Sequence, residues 1–88
     1  MQLPLKTRIL QYGLAQDNPF TVDTVMNDLK TEYPNESMFN FNLIDEYFQS
    51  YIGIGFFKAT DLKFDKEGKL IFYCVATDYA RQRFRDIL

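Results

Sequence analysis

The chain contains no histidine and a single cysteine, Cys74, which restricts the chemistry that its side chains can perform. Without histidine, a mechanism that needs an imidazole base or an imidazole metal ligand is excluded. Cys74 stands in the apolar run Leu-Ile-Phe-Tyr-Cys-Val, where a cysteine is far more often a small core residue than a nucleophile. The residue inventory therefore predicts that the protein is not an enzyme.

Cofactor and metal sites are also disfavoured by the sequence. A Gly-Ile-Gly sequence at 53–55 follows a helical pattern and precedes a strand, the reverse of the order in a phosphate-binding loop, so it is interpreted as a turn. Acidic residues cluster near Gly68, but Leu62 and Lys63 stand where a calcium loop needs oxygen ligands. Structural zinc needs several thiolates or imidazoles. We expect no cofactor and no metal.

Side chains able to read nucleic-acid bases are concentrated in one helical segment. Asn40, Asn42 and Gln49 belong to its polar side, and amides of this kind can bond adenine edges in the major groove. The segment also carries Asp45 and Glu46 without any Lys or Arg, and carboxylates beside phosphates oppose binding to DNA. On its own, this segment favours a basic protein surface, or plain solvent, over DNA.

Cations that could contact phosphates are found instead in a predicted hairpin and in the last helix. Arg81 and Arg85 are four residues apart and so share one helix face. Acidic residues alternate with the hairpin lysines, and ordinary solvated charge with helix-dipole compensation is the alternative interpretation. The predicted phosphate contacts are Lys63, Lys66, Lys69, Arg81 and Arg85.

Composition and charge bound the class of protein. The 88 residues are 47% hydrophobic and 17% aromatic, enough for one core, so residues 1–88 are predicted to form a single domain. The net charge of -2 divides into +2 over residues 1–16, -6 over 17–57 and +2 over 58–88. No apolar run approaches the roughly 18 residues that span a bilayer, so no membrane partner is expected. A lone cysteine and the lack of a secretory pattern at the start favour the cytoplasm.

Helical periodicity accounts for the first half of the chain. Leu5 and Ile9 begin an apolar stripe that predicts a first helix over 4–15. Thr21 is the expected N-cap of a second helix, which Pro34 should end because the residue before proline avoids the α region.

A third helix is expected after the turn sequence Pro-Asn-Glu-Ser at 34–37. Ser37, Asn40 and Asn42 could each cap it. Gly53 is expected just beyond its C-terminal end.

The pattern then becomes β-like over 56–64 and 69–76, joined by the turn sequence Asp-Lys-Glu-Gly. Both faces of the second strand are apolar, which predicts that both are covered or that one is an interface. Thr77 or Asp78 should cap a last helix, whose apolar face either packs on the domain or pairs with a second copy. That face comprises Ala80, Phe84, Ile87 and Leu88.

The order of these elements resembles the winged helix-turn-helix superfamily over residues 4–85. The resemblance is topological: the second helix has the pattern Thr-Val-x-x-Val-x-x-x-Leu at 21–29, a turn and the third helix follow, and the hairpin takes the place of the wing. It implies an α+β fold in which a three-helix bundle carries a two-stranded β-hairpin wing, a C-terminal helix and a strand stub near Phe20. The recognition-helix role would fall on residues 40–50 and the wing role on 63–69.

Members of this superfamily are mostly DNA-binding regulators, and a substantial minority serve protein–protein contacts. The resemblance therefore implies a small winged-helix DNA-binding protein, a transcriptional regulator that contacts double-stranded DNA through its wing and basic C-terminal helix. The alternative is a non-enzymatic interaction module whose acidic third helix docks on a basic protein surface. A homodimer through the last helix is a further expectation, beside packing of that helix within the monomer.

Overall fold

The computed structural model describes residues 3–34 and 39–85 and has an α+β architecture. Within these residues, four helices and one two-stranded antiparallel sheet follow one another along the chain. The elements are α1 (Leu5–Ala15), α2 (Val22–Leu29), α3 (Phe41–Gly53), β1 (Phe57–Phe64), β2 (Leu70–Ala76) and α4 (Asp78–Phe84). The predicted α+β class is confirmed, and so is the hairpin between the third and last helices.

Side-chain caps fix where three of these helices begin. Thr21, Asn40 and Thr77 each accept, through a side-chain oxygen, the backbone N–H of the residue three positions later, at 2.9–3.1 Å. Asn40 is therefore the cap of α3, and the alternative Ser37 lies outside the described residues. Thr77, rather than Asp78, caps α4.

The second helix is shorter than its sequence pattern predicts, since α2 ends at Leu29 and not at Pro34. The N–H of Glu32 bonds the Leu29 carbonyl at 3.0 Å, a three-residue spacing that replaces the last α-turn with a tighter one. This turn carries Tyr33 into the core, where its hydroxyl donates to the Leu3 carbonyl at 2.7 Å. The hydrogen bond of Tyr33 to Leu3 thus competes with continuation of α2 as a regular helix.

The end of α3 also differs from the expectation that Gly53 lies beyond it. Gly53 is the last helical residue, because the N–H of Ile54 still bonds the Ser50 carbonyl at 3.1 Å. Gly55 instead takes the left-handed conformation, with φ at +85°, that turns the chain out of the helix. The turn leads directly into β1.

Three phenylalanine rings join the helices to the sheet. Phe20, Phe48 and Phe57 are 1–2% exposed and meet edge to face, with ring centroids 5.1–5.7 Å apart. Gly13 of α1 lies against this cluster so closely that a Cβ there would stand 2.6 Å from the Phe57 ring. One core therefore links α1, the segment before α2, α3 and β1.

The sheet is anchored to the helices through its second strand. β1 and β2 pair in antiparallel register from Phe57–Ala76 to Phe64–Leu70, and Thr60 is an extra residue that forms a β-bulge in β1. On its other edge, β2 forms an antiparallel bridge between Cys74 and Phe20. The strand stub predicted near Phe20 is thus present as this bridge.

Candidate interaction surface

A groove runs between α3 and the ribbon, which is the hairpin of β1 and β2 over residues 57–76. Its apolar walls come from α3 on one side and from β2 on the other. These wall residues are Phe41, Phe48, Ile52, Leu70, Phe72 and Cys74. The enclosed space is about 20 Å³, room for about one water molecule and far less than a cofactor needs. A partner would therefore cover this groove from outside, and a small molecule would not fit into it.

Carboxylates border this groove. Asp45 lies on the groove side of α3, and Asp23 stands in the first turn of α2. Glu46, beside Asp45, is exposed to solvent. Lys69 faces them with its Nζ 3.4 Å from the centroid of the Phe41 ring, a cation–π contact that connects the ribbon to the first turn of α3. With the two carboxylates of Asp23 and Asp45 against the one ammonium group of Lys69, the charge along the groove is net negative.

The structure gives different surroundings to the three amides predicted to read bases. Asn40 is the N-cap of α3, so its Oδ1 already accepts the backbone N–H of Leu43 at 2.9 Å. Asn42 is exposed in the first turn of α3, and Gln49 is exposed two turns later, where it borders the groove. Asn42 and Gln49 therefore remain available to a partner, next to the carboxylate of Glu46.

The predicted ribbon cations lie near its tip. Lys63 Nζ is 3.8 Å from Asp61 Oδ2 and 5.1 Å from the centroid of the Tyr73 ring. Lys66 is exposed in the turn. Because an exposed ion pair of this kind holds its partners only weakly, Lys63 and Lys66 can both reach an external anion.

Asp65 builds the turn at the ribbon tip. Its Oδ1 accepts the N–H groups of Glu67 at 2.9 Å and Lys69 at 2.8 Å, while Gly68 takes the left-handed conformation with φ at +82°. The Asp65 carboxylate is thus engaged in hydrogen bonds within the turn.

Across the part of the chain that the structure describes, no group of three His, Cys, Asp or Glu side chains is arranged to hold a metal ion.

Of the two predicted arginine contacts, Arg81 lies on α4 and Arg85 is the C-cap residue that follows it. The Arg81 guanidinium donates to the carbonyls of Leu14 at 2.8 Å and Gln16 at 3.1 Å, at the C-terminal end of α1. Arg85 is exposed nearby and lines a shallow surface with Leu14. Arg81 is therefore part of the packing of α4 onto α1, whereas Lys69 contacts the start of α3.

The apolar face of α4 packs within the chain as far as the structure describes it. Ala80 is fully buried, and the Phe84 ring meets Phe56 edge to face with centroids 5.0 Å apart. The predicted face continues to Ile87 and Leu88, which lie outside the described residues. For Ala80 and Phe84, packing within the monomer is the observed arrangement.

The ribbon carries an exposed apolar face that its sequence pattern did not reveal. Leu62, Phe64 and Leu70 are 55%, 73% and 38% exposed. Cross-strand partners share a sheet face, so the pairs Leu62–Phe72 and Phe64–Leu70 continue the face that is buried at the base of the ribbon. The bulge at Thr60 conceals this face in the sequence because it shifts the alternation of β1 by one residue. The available signal for this face was the second strand, whose two apolar faces predicted that both are covered or that one is an interface.

Cys74 lies at the base of the ribbon and is fully buried. Burial raises the pKa of its thiol to about 11, and the nearby carboxylate of Asp45 adds to the shift. A thiol that keeps its proton at neutral pH is a weak nucleophile. The prediction that Cys74 is a core residue is confirmed.

No protein-family model, curated protein or solved structure gives a significant match to this chain. Among the helices in the described ranges, none is long and apolar enough to cross a lipid bilayer. The groove, the ribbon and the charges around them are therefore the features from which a function follows.

Proposed function

We propose that the chain is a winged-helix domain that acts as a non-enzymatic protein-interaction module. The order of helices and strands supports the winged-helix assignment, as does the bridge that Phe20 forms with Cys74 on the far edge of β2. Under this assignment α3 would take the role of a recognition helix and the ribbon that of a wing.

The interaction role rests on one observation, the exposed apolar face of the ribbon beside the groove. Leu62 and Phe64 are each more than half exposed, and their neighbours Leu70 and Phe72 line the groove itself. Full burial of an apolar side chain of this size is worth about 1.5–3 kcal/mol, so a partner that covers the face gains affinity directly. Contiguous apolar surface of this kind marks interaction sites in folded proteins.

The charges around the groove define the chemistry of the partner. Asp23 and Asp45 place negative charge beside the apolar walls, and Glu46 is exposed next to Asp45 in the sequence. An amphipathic segment with Lys or Arg beside its apolar residues would pair these carboxylates while its apolar side chains cover the groove and the exposed face of the ribbon. The partner proposed is therefore a basic amphipathic segment of another protein.

Selection from a random peptide display library tests this role with no assumption about the natural partner. The recovered peptides should combine Lys or Arg with aromatic or aliphatic residues. Asp45→Lys should weaken their binding about tenfold or more, by repulsion at the groove. Asp17→Lys makes the same charge change at an exposed site on the α1–α2 connection and should preserve binding. Peptides of no common chemistry, or equal binding by the two variants, would contradict the proposal.

DNA binding is the second candidate, and a specific observation favours it. Lys63 and Lys66 are exposed at the ribbon tip, on the element that takes the wing position, and Asn42 and Gln49 are exposed on α3. Phosphate contacts by the two lysines would position the domain, and the two amides would contact base edges. The acidic border of the groove opposes this candidate, because charges within the Debye length of about 8 Å still act on phosphates.

Titration of random-sequence duplex DNA at low and moderate salt separates the two candidates. A DNA binder loses affinity steeply as salt rises, and Lys66→Ala should reduce the slope by about one contact. Lys30→Ala removes an exposed lysine at the end of α2 and serves as the matched control. Absence of binding at low salt would exclude DNA as the partner and leave the interaction role standing.

A further inference from the structure

We propose that two copies of this chain pair through the outer edges of their β1 strands, which gives a four-stranded antiparallel sheet with its twofold axis at Leu62. The contact uses the backbone edge of the ribbon together with the Leu62 and Phe64 side chains, and not the residues that line the groove. It therefore goes beyond the interaction role proposed above and does not depend on it.

The outer edge of β1 exposes backbone groups that a second strand can bond. Among the described residues, β2 is paired on both sides, with β1 and with Phe20, whereas β1 is paired with β2 alone. The N–H of Asp65 bonds the Lys69 carbonyl at 2.9 Å, so this pair is a hydrogen-bonded one. Bonded and non-bonded pairs alternate along an antiparallel ladder, so the backbone groups of Leu62 and Phe64 point away from β2. These are the groups that strand addition uses.

A side-chain contact confirms this outward direction. The N–H of Leu62 is bonded by Asp61 Oδ1 at 2.9 Å, on the exposed side of the strand. A solvent-exposed hydrogen bond within one dipeptide contributes little net free energy. An incoming strand can therefore replace it and release the Asp61 carboxylate for another partner.

The charges of β1 select one register for the pairing. With Leu62 opposite its own copy, Asp61 of each chain lies directly across from Lys63 of the other, and the symmetry axis makes this pair twice. An axis at Asp61 would place two carboxylates opposite each other, and an axis at Lys63 would place two ammonium groups opposite each other. The register centred on Leu62 is thus the one among these three that matches opposite charges.

The same register joins the two exposed apolar faces. Leu62 meets its counterpart at the axis, and Phe64 of each copy lies beside Thr60 of the other. Leu62 and Phe64 are 55% and 73% exposed in the single chain, so both lose contact with water on pairing. Charged side chains on an exposed edge generally discourage pairing, whereas in this register the charges of β1 are complementary to those of their own copy.

Analytical ultracentrifugation of the whole chain tests the dimer. The mass should rise from the 10.4 kDa of one chain toward twice that value as the concentration approaches about 1 mM. Leu62→Lys places two like charges at the axis and should weaken the dimer about tenfold or more. Ile54→Lys is the matched control, because Ile54 is 57% exposed and lies outside the ribbon, and it should dimerise like the unchanged chain.

A charge exchange tests the register. Asp61→Lys and Lys63→Asp should each weaken the dimer, since each puts like charges across the axis, and the two substitutions together should restore it. A chain that stays monomeric to about 1 mM would overturn the proposal. So would a dimer that survives Leu62→Lys, or a double exchange that fails to recover pairing. These measurements report the mass of the chain, whereas Asp45→Lys reports peptide capture at the groove, so the failure of one proposal is distinguishable from the failure of the other.

Discussion

Phe20 and Cys74 exchange two backbone hydrogen bonds, each 2.9 Å from nitrogen to oxygen. The bridge holds the base of the ribbon against the segment that precedes α2, and it leaves the Cys74 side chain fully buried. The base of the ribbon is therefore part of the core, while its tip extends into solvent with Phe64 exposed. Because the base of the hairpin is buried and its tip is exposed, the two ends can be examined by separate measurements.

The Cys74 thiol should report on opening of the ribbon base. Burial and a pKa raised to about 11 predict that a disulfide reagent at pH 8 modifies it slowly in the native protein and rapidly in urea. A variant with Cys74→Ala and Ser50→Cys, which moves the thiol to an exposed helix position, should react at once. Fast modification of Cys74 without denaturant would show that the bridge to Phe20 opens locally.

Gly13→Ala should destabilise the domain by about 1–3 kcal/mol, because an added methyl group overpacks a closed core. The new Cβ would stand 2.6 Å from the Phe57 ring and 2.9 Å from the Phe20 ring, both of which are buried. Urea unfolding followed by circular dichroism measures the loss.

Gly53→Ala is the matched control for this substitution. A Cβ at Gly53 meets no atom within 4 Å, and the residue is helical, so alanine should stabilise the chain by about 0.5–1 kcal/mol. If both substitutions changed stability in the same direction, the close packing of Gly13 against Phe57 would be wrong.

Arg81→Ala should lower the free energy of unfolding by about 1–2 kcal/mol, because it removes two charge-assisted hydrogen bonds to the C-terminal end of α1. Arg81→Lys should recover only part of this loss. An ammonium group keeps the positive charge but lacks the fork that reaches both carbonyls. Thermal unfolding is a suitable measurement.

Arg83→Ala provides the comparison on the same helix. Arg83 is exposed, so its removal should change stability by less than about 0.5 kcal/mol. Equal effects at Arg81 and Arg83 would show that the carbonyl contacts of Arg81 contribute nothing.

Tyr51 should make the fold sensitive to alkaline pH. Burial raises the pKa of its phenol from 10 to about 12, and its hydroxyl donates to the Lys6 carbonyl at 2.6 Å. The native state therefore favours the neutral phenol. The stability that the neutral Tyr51 phenol contributes is complete below about pH 10, the pKa of the phenol in the unfolded chain. It is lost as the pH rises toward the native pKa of about 12.

Urea unfolding at pH 8 and pH 11 measures this contribution. Tyr51→Phe should be less stable than the unchanged chain at pH 8, since it lacks the hydrogen bond to Lys6. It should lose less stability between the two pH values, by roughly 1 kcal/mol after allowance for solvent screening. Equal losses in the two proteins would show that the Tyr51 phenol ionises as freely in the native state as in the unfolded one.

The beginnings of the helices were predictable because capping is chemistry within one turn. Thr21 caps where its type and the following apolar pattern indicated, Thr77 was one of two alternatives for α4, and Asn40 was one of three for α3. Helix ends were less predictable. The end of α2 depends on where Tyr33 packs, and Tyr33 contacts Leu3, 30 residues away along the chain.

The candidate surface was only partly predictable for a similar reason. Exposure of Asn42, Gln49 and Lys66 follows from helical spacing and turn chemistry, which are local. The bonds of Arg81 to carbonyls 65 and 67 residues earlier depend on tertiary packing, which no spacing in the sequence encodes. The same holds for the contact of Lys69 with Phe41.

Thr60 stands outside the ladder of paired residues, and this gives the hairpin a specific tolerance to deletion. Removing a regularly paired residue from a strand would invert the side chains on one side of the gap, sending charges inward. Removing Thr60 would keep every pairing from Phe57–Ala76 to Phe64–Leu70 and would straighten the strand. Hairpins of two lengths are thus compatible with the same interior, and the shorter one would aim its tip in a new direction.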